Sequence, residues 1–138
     1  QIRAVAIKPG KPLTVAKFDR DARTVVYFGL PGNPVSALVS CWRFVKSAMA
    51  KLAGLPASNW QPTWIEAITT QDLTAAGKRE TYLWGKLELI DGRYRFSLAG
   101  GSHSSANMIN LAGTNALVMM PVDTTMIMDG STVRVLVL

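Results

Sequence analysis

The apolar positions of the chain follow two different periods, one on each side of residues 55–62. Between residues 34 and 53 they recur every three or four residues, which predicts one helix with a single apolar stripe facing a core. Six residues form this stripe: Val35, Leu38, Trp42, Val45, Met49 and Leu52. Asn33 as the N-cap, Pro34 at the first helical position and Gly54 after the last turn predict the ends of this helix.

Strands are predicted on both sides of the helix. Before it, runs of β-branched and aromatic residues predict strands at residues 2–7, 13–18 and 24–30, with a turn at 19–23. After residue 62, alternating polar and apolar positions predict strands at residues 63–69, 79–90, 93–96, 116–120 and 132–138. Gly85 interrupts the longest of them, and Asp91-Gly92 is typical of a type I′ hairpin turn.

The change of period predicts two parts, residues 1–58 and residues 59–138. Pro56, Ser58, Asn59 and Pro62 make the stretch between them a plausible linker. The first part is predicted to be an α/β fragment, since strands precede one long helix. Five or so short strands in the second part predict a small all-β domain, either a barrel or a sandwich.

Composition and charge narrow the class of protein. Hydrophobic residues make up 49% and charged residues 17% of the chain, which is enough to bury a core. The net charge is +6, but the basic residues are dispersed and form no nucleic-acid-binding motif. No apolar run approaches the roughly 20 residues that span a bilayer, and no signal-peptide pattern is visible. These features predict a cytoplasmic protein with no membrane and no nucleic-acid partner.

Two rigid loops are candidates for an anion site. The first, Lys8-Pro9-Gly10-Lys11-Pro12, holds two ammonium groups three residues apart, and each lysine is followed by a proline. The second runs from Gly29 to Ala37 with the sequence Gly-Leu-Pro-Gly-Asn-Pro-Val-Ser-Ala, and it leads a strand into the predicted helix. A stiff loop before a capped helix can hold backbone amides toward an anion. The loops thus predict binding of a phosphate-like ligand.

The two loops together resemble the molybdopterin molybdotransferases, the family of bacterial MoeA and of the E domain of gephyrin. The resemblance covers essentially the whole chain, which is similar to only the C-terminal part of family members. It implies the end of a molybdopterin-binding α/β domain followed by the family's small β-barrel-like domain. It also implies molybdenum cofactor biosynthesis, in which molybdate is inserted into adenylylated molybdopterin with release of AMP. The choice between molybdate and tungstate stays open.

The resemblance further implies Mg²⁺ as cofactor and a homodimer whose cleft lies between the two domains. The acidic residues that hold magnesium in this family lie upstream, so no metal ligand and no catalytic residue is identified in this chain. The chain should therefore supply the molybdate-facing part of the site and be inactive alone.

The site residues that the resemblance implies fall in four segments. Lys8 and Lys11 match the family's oxyanion clamp. The segment Gly77-Lys78-Arg79-Glu80 matches a Gly-Arg-x-Glu motif, so either Lys78 or Arg79 faces the anion, while Trp84 stands where the family has a further arginine. Ser105, with Ser104 next, matches a Ser-Ser pair that precedes Asn115. Six residues frame the two loops: Pro9, Gly10, Pro31, Gly32, Asn33 and Pro34.

Two functions of other classes compete with the enzyme. In gephyrin the same domain also docks a receptor peptide, so the chain could be a non-catalytic scaffold or peptide-binding module, which an exposed apolar patch on the β domain would support. The second competing function is that of a basic RNA-binding β domain, which a steep salt dependence of RNA affinity would support. The enzyme is preferred because it alone explains both rigid loops.

Overall fold

The computed structural model describes residues 2–21, 23–101 and 108–138. Ten strands are present among them: β1 (Ile7–Lys8), β2 (Thr14–Arg20), β3 (Arg23–Gly29), β4 (Trp64–Thr69), β5 (Leu73–Thr74), β6 (Glu80–Ile90), β7 (Arg93–Leu98), β8 (Ala116–Met120), β9 (Met126–Ile127) and β10 (Thr132–Val137). The helices are α1 (Pro34–Ser40), a π-helical segment (Cys41–Val45) and α2 (Lys46–Leu52), with short 3₁₀ turns at Ala57–Asn59 and Ile109–Leu111. None of the described helices is long and apolar enough to cross a membrane.

Five strands close into a barrel. The order is β6-β7-β4-β10-β8, and β8 pairs back onto β6 from Thr81↔Met120 to Gly85↔Ala116. All neighbours are antiparallel except β4 and β7. Of the two architectures left open by the alternating pattern, the barrel is the one observed. A barrel removes the exposed edges that a short-stranded open sheet would leave.

Strand β6 is the longest strand and continues through Gly85. Its first half pairs with β8 and its second half with β7, so Gly85 is opposite both Ala116 and Leu98. A Cβ on Gly85 would lie 2.5 Å from the Phe96 ring, so only glycine fits there. The predicted interruption is instead the point where one strand passes from one neighbour to the other. The Asp91-Gly92 turn has the two positive φ angles, 50° and 74°, that a type I′ hairpin requires.

The barrel wall is apolar on both faces. Alternate residues of β6, β8 and β10 fill the interior, including Leu83, Val118 and Val135, and Phe96 of β7 packs with them. The intervening residues Tyr82, Trp84, Leu117 and Leu136 form a second buried cluster with Ile7 of β1 and with Val35 and Val39 of α1. The helix therefore covers the outside of the barrel at β6 and β8.

The helix begins and ends where the sequence predicts, but its buried face differs. Asn33 accepts a hydrogen bond from the Ser36 amide at 3.4 Å, and Gly54 follows the last turn with a φ of 74°. The predicted stripe is buried only near the N-terminus. Met49 is 63% and Leu52 65% exposed, so these two assignments are wrong for this chain. The reason is that α2 extends beyond the barrel wall, past the last helical residues that contact the buried cluster.

Ser36 and Ser40 do not belong to the predicted apolar stripe, yet both are buried. The Ser40 hydroxyl donates to the Ser36 carbonyl at 2.8 Å, which satisfies its hydrogen-bonding capacity within the helix. The same face of the helix receives the backbone of Gly10.

One strand prediction and one turn prediction in residues 1–58 need correction. The strand expected over residues 2–7 is reduced to β1, with one isolated bridge between Ile2 and Val15. The turn expected at 19–23 is shorter, because β2 and β3 pair out to Arg20↔Arg23. Asp19 explains the extension: it accepts a hydrogen bond from Thr24 at 2.7 Å and pairs with Lys17 at 3.2 Å.

Asn115 extends the β6–β8 ladder with its side chain. Its Oδ1 accepts from the Leu87 amide at 2.7 Å, and its Nδ2 donates to the Leu87 carbonyl at 3.0 Å. Asn115→Ala should destabilise the fold by about 2 kcal/mol, because both backbone groups of Leu87 lose their partner. Chemical denaturation measures this loss. Asn59→Ala, at an exposed turn, is the control, and equal midpoints for the two variants would contradict the assignment.

Candidate functional site

A cavity of about 510 Å³ lies where the first rigid loop meets the start of β6. Three cationic residues line it: Lys8, Lys11 and Arg79. The other lining residues come from the loop, from α1, from the end of β5 with the residue after it, and from β6: Pro9, Gly10, Pro12, Ser36, Thr74, Ala75, Thr81, Tyr82 and Leu83. Two segments that are distant in the sequence thus contribute cations to one cavity.

The loop from Lys8 to Pro12 is fixed on both sides. The Lys11 carbonyl accepts from the Val5 amide at 3.0 Å, and the Gly10 carbonyl accepts from the Leu13 amide at 3.2 Å. Gly10 has a φ of 123°, and a Cβ there would lie 2.9 Å from the Ser40 hydroxyl. Glycine is therefore required at this position both for its conformation and for the close approach to the helix. Pro9 and Gly10 are buried, whereas the two lysines on either side of them are exposed.

Pairing of β1 with β6 brings Arg79 to this loop. The two strands are parallel, with Lys8 opposite Thr81. The guanidinium of Arg79 donates from Nη1 to the Ile7 carbonyl at 3.1 Å, which leaves its other donors for a ligand. Arg79 is half-buried. The hydrogen bond holds its positive charge beside the loop.

The cavity is positively charged and carries no acidic wall among the described residues. No Asp or Glu lines it, and no described carboxylate pairs with Lys8 or Lys11. A tetrahedral oxyanion accepts hydrogen bonds and carries one or two negative charges, so it suits ammonium and guanidinium donors. The arrangement can bind and orient such an anion.

The second rigid loop supports the cavity from the helix side. Of its residues Ser36 lines the cavity, whereas Pro31, Gly32, Asn33 and Pro34 do not. The Asn33 side chain occupies the Ser36 amide, so this loop acts here as the helix cap. Pro31 is buried. The four residues therefore shape the start of α1 and lie outside the cavity wall.

Two other positions that the motifs single out, Lys78 and Trp84, do not line this cavity. Lys78 is exposed and does not line it, so of the pair left open by the motif only Arg79 does. Trp84, at the position of a family arginine, is fully buried in the apolar cluster beneath the helix. Ser104 and Ser105 lie outside the described residues.

A hydrogen-bonded network next to the cavity was not predicted from the sequence. Arg43 of the π-helical segment donates from Nε to the Tyr82 hydroxyl at 2.8 Å, and that hydroxyl donates to the Glu80 carboxylate. Burial, and next the bond to Glu80, raise the pKa of Tyr82 far above its ordinary value of 10.0, although the charge of Arg43 opposes this. The phenol therefore stays protonated and keeps donating at neutral pH. The only available sequence signal was the alternation that places Glu80 and Tyr82 on the same side of β6.

A larger cavity, of about 580 Å³, lies between α2 and the segment that follows it. Trp42, Lys46 and Trp60 are among its lining residues, and none of the predicted site residues is. Trp60 is held by a hydrogen bond from its indole Nε1 to the Leu55 carbonyl at 2.8 Å. The cavity with the three cations is smaller, but the first rigid loop lines it together with Ser36.

The described residues do not fit a magnesium site. Among residues 2–21, 23–101 and 108–138, no group of three or more His, Cys, Asp or Glu side chains lies together. Mg²⁺ needs oxygen ligands in octahedral geometry, usually with one or two carboxylates. The described residues therefore supply no ligand set for a magnesium-dependent step.

The chain is similar in sequence to proteins named molybdopterin molybdenumtransferase. The chain is 52% identical over 135 residues to a molybdopterin molybdenumtransferase of Nostoc sp., an alignment that covers 98% of this chain and 30% of the relative. It is 30% identical over 131 residues to molybdopterin molybdenumtransferase 2 of Mycobacterium tuberculosis, covering 95% of this chain and 30% of that protein. The chain thus spans under a third of the length of these curated relatives.

The fold and the family model agree with these relatives. The solved structure of the molybdopterin biosynthesis MoeA protein from Pyrococcus horikoshii matches with a TM-score of 0.71 at 24% identity, over 99% of this chain and 32% of that chain. At this identity the match shows the fold alone. The family model described as the MoeA C-terminal region (domain IV) matches residues 66–138, which are more than half of the chain. With this match, the resemblance inferred from the rigid loops is confirmed, and the chain belongs to the MoeA C-terminal domain family.

Proposed function

We propose that the chain forms the oxyanion-binding wall of a molybdopterin molybdenumtransferase. In this proposal the whole protein inserts molybdate into adenylylated molybdopterin and releases AMP. The observation that carries it is the cavity in which Lys8 and Lys11 meet Arg79 with no described acidic residue. The names of the relatives supply the substrate class, since the geometry alone would suit any tetrahedral oxyanion.

The three cations have distinct parts in this proposal. Lys8 and Lys11 present compact charges with three donors each, so they attract the anion and adapt to its position. Arg79 is oriented by the Ile7 carbonyl and offers its remaining donors in a fixed plane. The proline-framed loop has little conformational freedom to lose on binding, so most of the charge attraction contributes to affinity.

Two other parts of the proposal rest on the sequence pattern: a division of the chain into residues 1–58 and 59–138, and a cytoplasmic location. A homodimer and Mg²⁺ bound by residues outside this chain rest on the resemblance. Ser104 and Ser105 are proposed as further hydrogen-bond donors to the anion, because hydroxyl groups donate without adding charge. Lys78 is proposed only as an exposed neighbour of the site.

The proposal is tested by comparing the intact protein with the 138-residue chain. Supplied with adenylylated molybdopterin, molybdate and magnesium, the intact protein should release AMP and form molybdenum cofactor. The chain alone should give neither above background, since its described residues hold no magnesium site. Failure of the intact protein contradicts the proposed activity. Turnover by the chain alone would show that it holds the whole active site.

Peptide docking is a second candidate, supported by one observation. Val122, Met126 and Met128 are 49%, 53% and 58% exposed, and all lie in the segment that joins β8 to β10. Exposed methionines suit adaptable protein contacts. If the chain is a scaffold, replacing the two methionines with glutamate should abolish capture of a partner peptide and leave AMP release unchanged. Unchanged peptide capture would exclude this segment as the docking surface.

A further inference from the structure

The network of Arg43, Tyr82 and Glu80 holds a carboxylate next to a cationic cavity. Glu80 follows Arg79 directly in the chain, and both neighbours of Glu80, Arg79 and Thr81, line the cavity. Glu80 itself does not. Its carboxylate is instead bound by the Tyr82 hydroxyl, which in turn accepts from Arg43.

A free carboxylate at this position would compete with an anionic ligand. Carboxylates pair with guanidinium and ammonium groups by the same charge-assisted hydrogen bonds that a tetrahedral oxyanion forms. Without the Tyr82 hydroxyl as its partner, the charge of Glu80 would lie unshielded one residue from Arg79 and would lower the positive potential that attracts the ligand. Where the Glu80 side chain is held therefore affects how strongly the cavity binds anions.

Arg43 is itself firmly placed. Its guanidinium lies 5.1 Å from the centre of the Phe44 ring and 5.6 Å from that of the Trp64 ring. Trp64 also stacks against Arg134 at 4.5 Å. Such cation–aromatic contacts restrain a long side chain while leaving its N–H groups free to donate.

Tyr82 links this restrained arginine to β6. It is only 1% exposed, so its hydroxyl needs partners inside the protein, and Arg43 and Glu80 supply both. Because Glu80 and Tyr82 are two residues apart on one strand, their side chains lie on the same side of β6. The bond between them thus fixes the direction of the Glu80 side chain.

We propose that Tyr82 and Arg43 are positioning residues that hold the Glu80 carboxylate away from the cationic cavity, so that Lys8, Lys11 and Arg79 stay available to an oxyanion substrate. This inference rests on the proposed function, because it presupposes that the cavity binds such an anion. It adds a specific role for Arg43 and Tyr82, which lie outside the cation motifs, and for Glu80, the last residue of the Gly77–Glu80 segment.

The test measures equilibrium binding of molybdate to the intact protein and to three variants. Tyr82→Phe keeps the ring but frees Glu80, and it should weaken molybdate binding about tenfold. Glu80→Gln alone should change binding by less than about threefold, since the amide carries no charge to compete. In the double variant, Glu80→Gln should restore the affinity lost in Tyr82→Phe to within about threefold of the unmodified protein.

Rescue distinguishes positioning from a structural role. If Tyr82 only stabilised the fold, the double variant would be as weak as Tyr82→Phe or weaker, and that result would overturn the inference. Unchanged binding by Tyr82→Phe would also overturn it. Should Tyr82→Phe fail to fold, as seen by circular dichroism, Arg43→Gln removes the donor that places the Tyr82 hydroxyl. A smaller loss of molybdate affinity and its rescue by Glu80→Gln are then expected, and an Arg43→Gln variant with unchanged affinity would overturn the inference.

Failure of the underlying function gives a different result. If the unmodified protein binds molybdate no better than the Lys8→Ala, Lys11→Ala double variant, the cavity is not the anion site, and the proposed function fails first. If the unmodified protein binds more tightly than that double variant but Tyr82→Phe shows no loss, only the positioning role is overturned.

Discussion

Gly85→Ala should be the most destabilising single methyl addition in the chain. A Cβ at this position would lie 2.2 Å from the Ser97 carbonyl oxygen and 2.5 Å from Cζ of Phe96. The oxygen belongs to the backbone of the neighbouring strand, so the clash is relieved only by separating β6 from β7. We expect a loss of at least about 3 kcal/mol in the free energy of unfolding, measured by chemical denaturation.

Gly100→Ala is the matched control for this substitution. Nothing lies within 4 Å of a Cβ built on Gly100, so the same methyl group meets open space there. The control should unfold within about 0.5 kcal/mol of the unmodified protein. A Gly85→Ala variant that unfolds at the same midpoint as Gly100→Ala would mean that β6 does not pass this close to β7.

Replacing both Lys8 and Lys11 with alanine should abolish most anion binding and leave the fold intact. Both side chains are exposed and line the cationic cavity, so their removal takes two charges from the site and little packing from the core. Each charge-assisted hydrogen bond contributes about 1.5–3 kcal/mol, so the loss of two should lower molybdate affinity by at least about 100-fold. Equilibrium binding to the intact protein measures the change, with circular dichroism to confirm folding.

A Lys51→Ala, Lys86→Ala double variant controls for net charge. It removes the same two positive charges, but neither lysine lines the cavity: Lys51 lies over the Trp60 ring and Lys86 pairs with Glu88. Molybdate affinity should then stay within about threefold of the unmodified protein, because distant exposed charges are screened by salt. Equal losses in the two double variants would indicate general charge attraction and would exclude a local site at Lys8 and Lys11.

Local sequence signals predicted the elements that local chemistry determines. Asn33, Pro34 and Gly54 place the ends of the helix correctly, and Asp91-Gly92 gives the observed hairpin. The choice between barrel and sandwich was left open because it depends on β8 pairing back onto β6, a contact between distant segments. The π-helical segment carries no sequence signal that we recognised. The exposure of Met49 and Leu52 depends on where the barrel ends beneath the helix.

The sequence identified individual residues of the candidate site but not which of them lie together in the fold. The spacing of Lys8 and Lys11 identified the loop, and the Gly77–Glu80 motif offered two cations without choosing between them. The choice of Arg79 as the cavity-lining cation depends on the parallel pairing of β1 with β6. The contact of Arg43 with Tyr82 joins residues 39 positions apart through a side chain that would otherwise be assigned to a solvated helix face.

The pairing of β1 with β6 also determines when the cationic cavity can form during folding. The β6–β7 hairpin closes through a two-residue turn, and such hairpins form within about ten microseconds. The hydrogen bond from Arg79 to Ile7 joins residues 72 positions apart. Forming it requires closing a long loop, and this entropy cost arises before the contact gives any stabilisation. Arg79 therefore meets Lys8 and Lys11 late, and partly folded chains lack the complete cationic cavity. Molybdate, which would recognise only the assembled cavity, should then slow unfolding of the protein without accelerating its refolding.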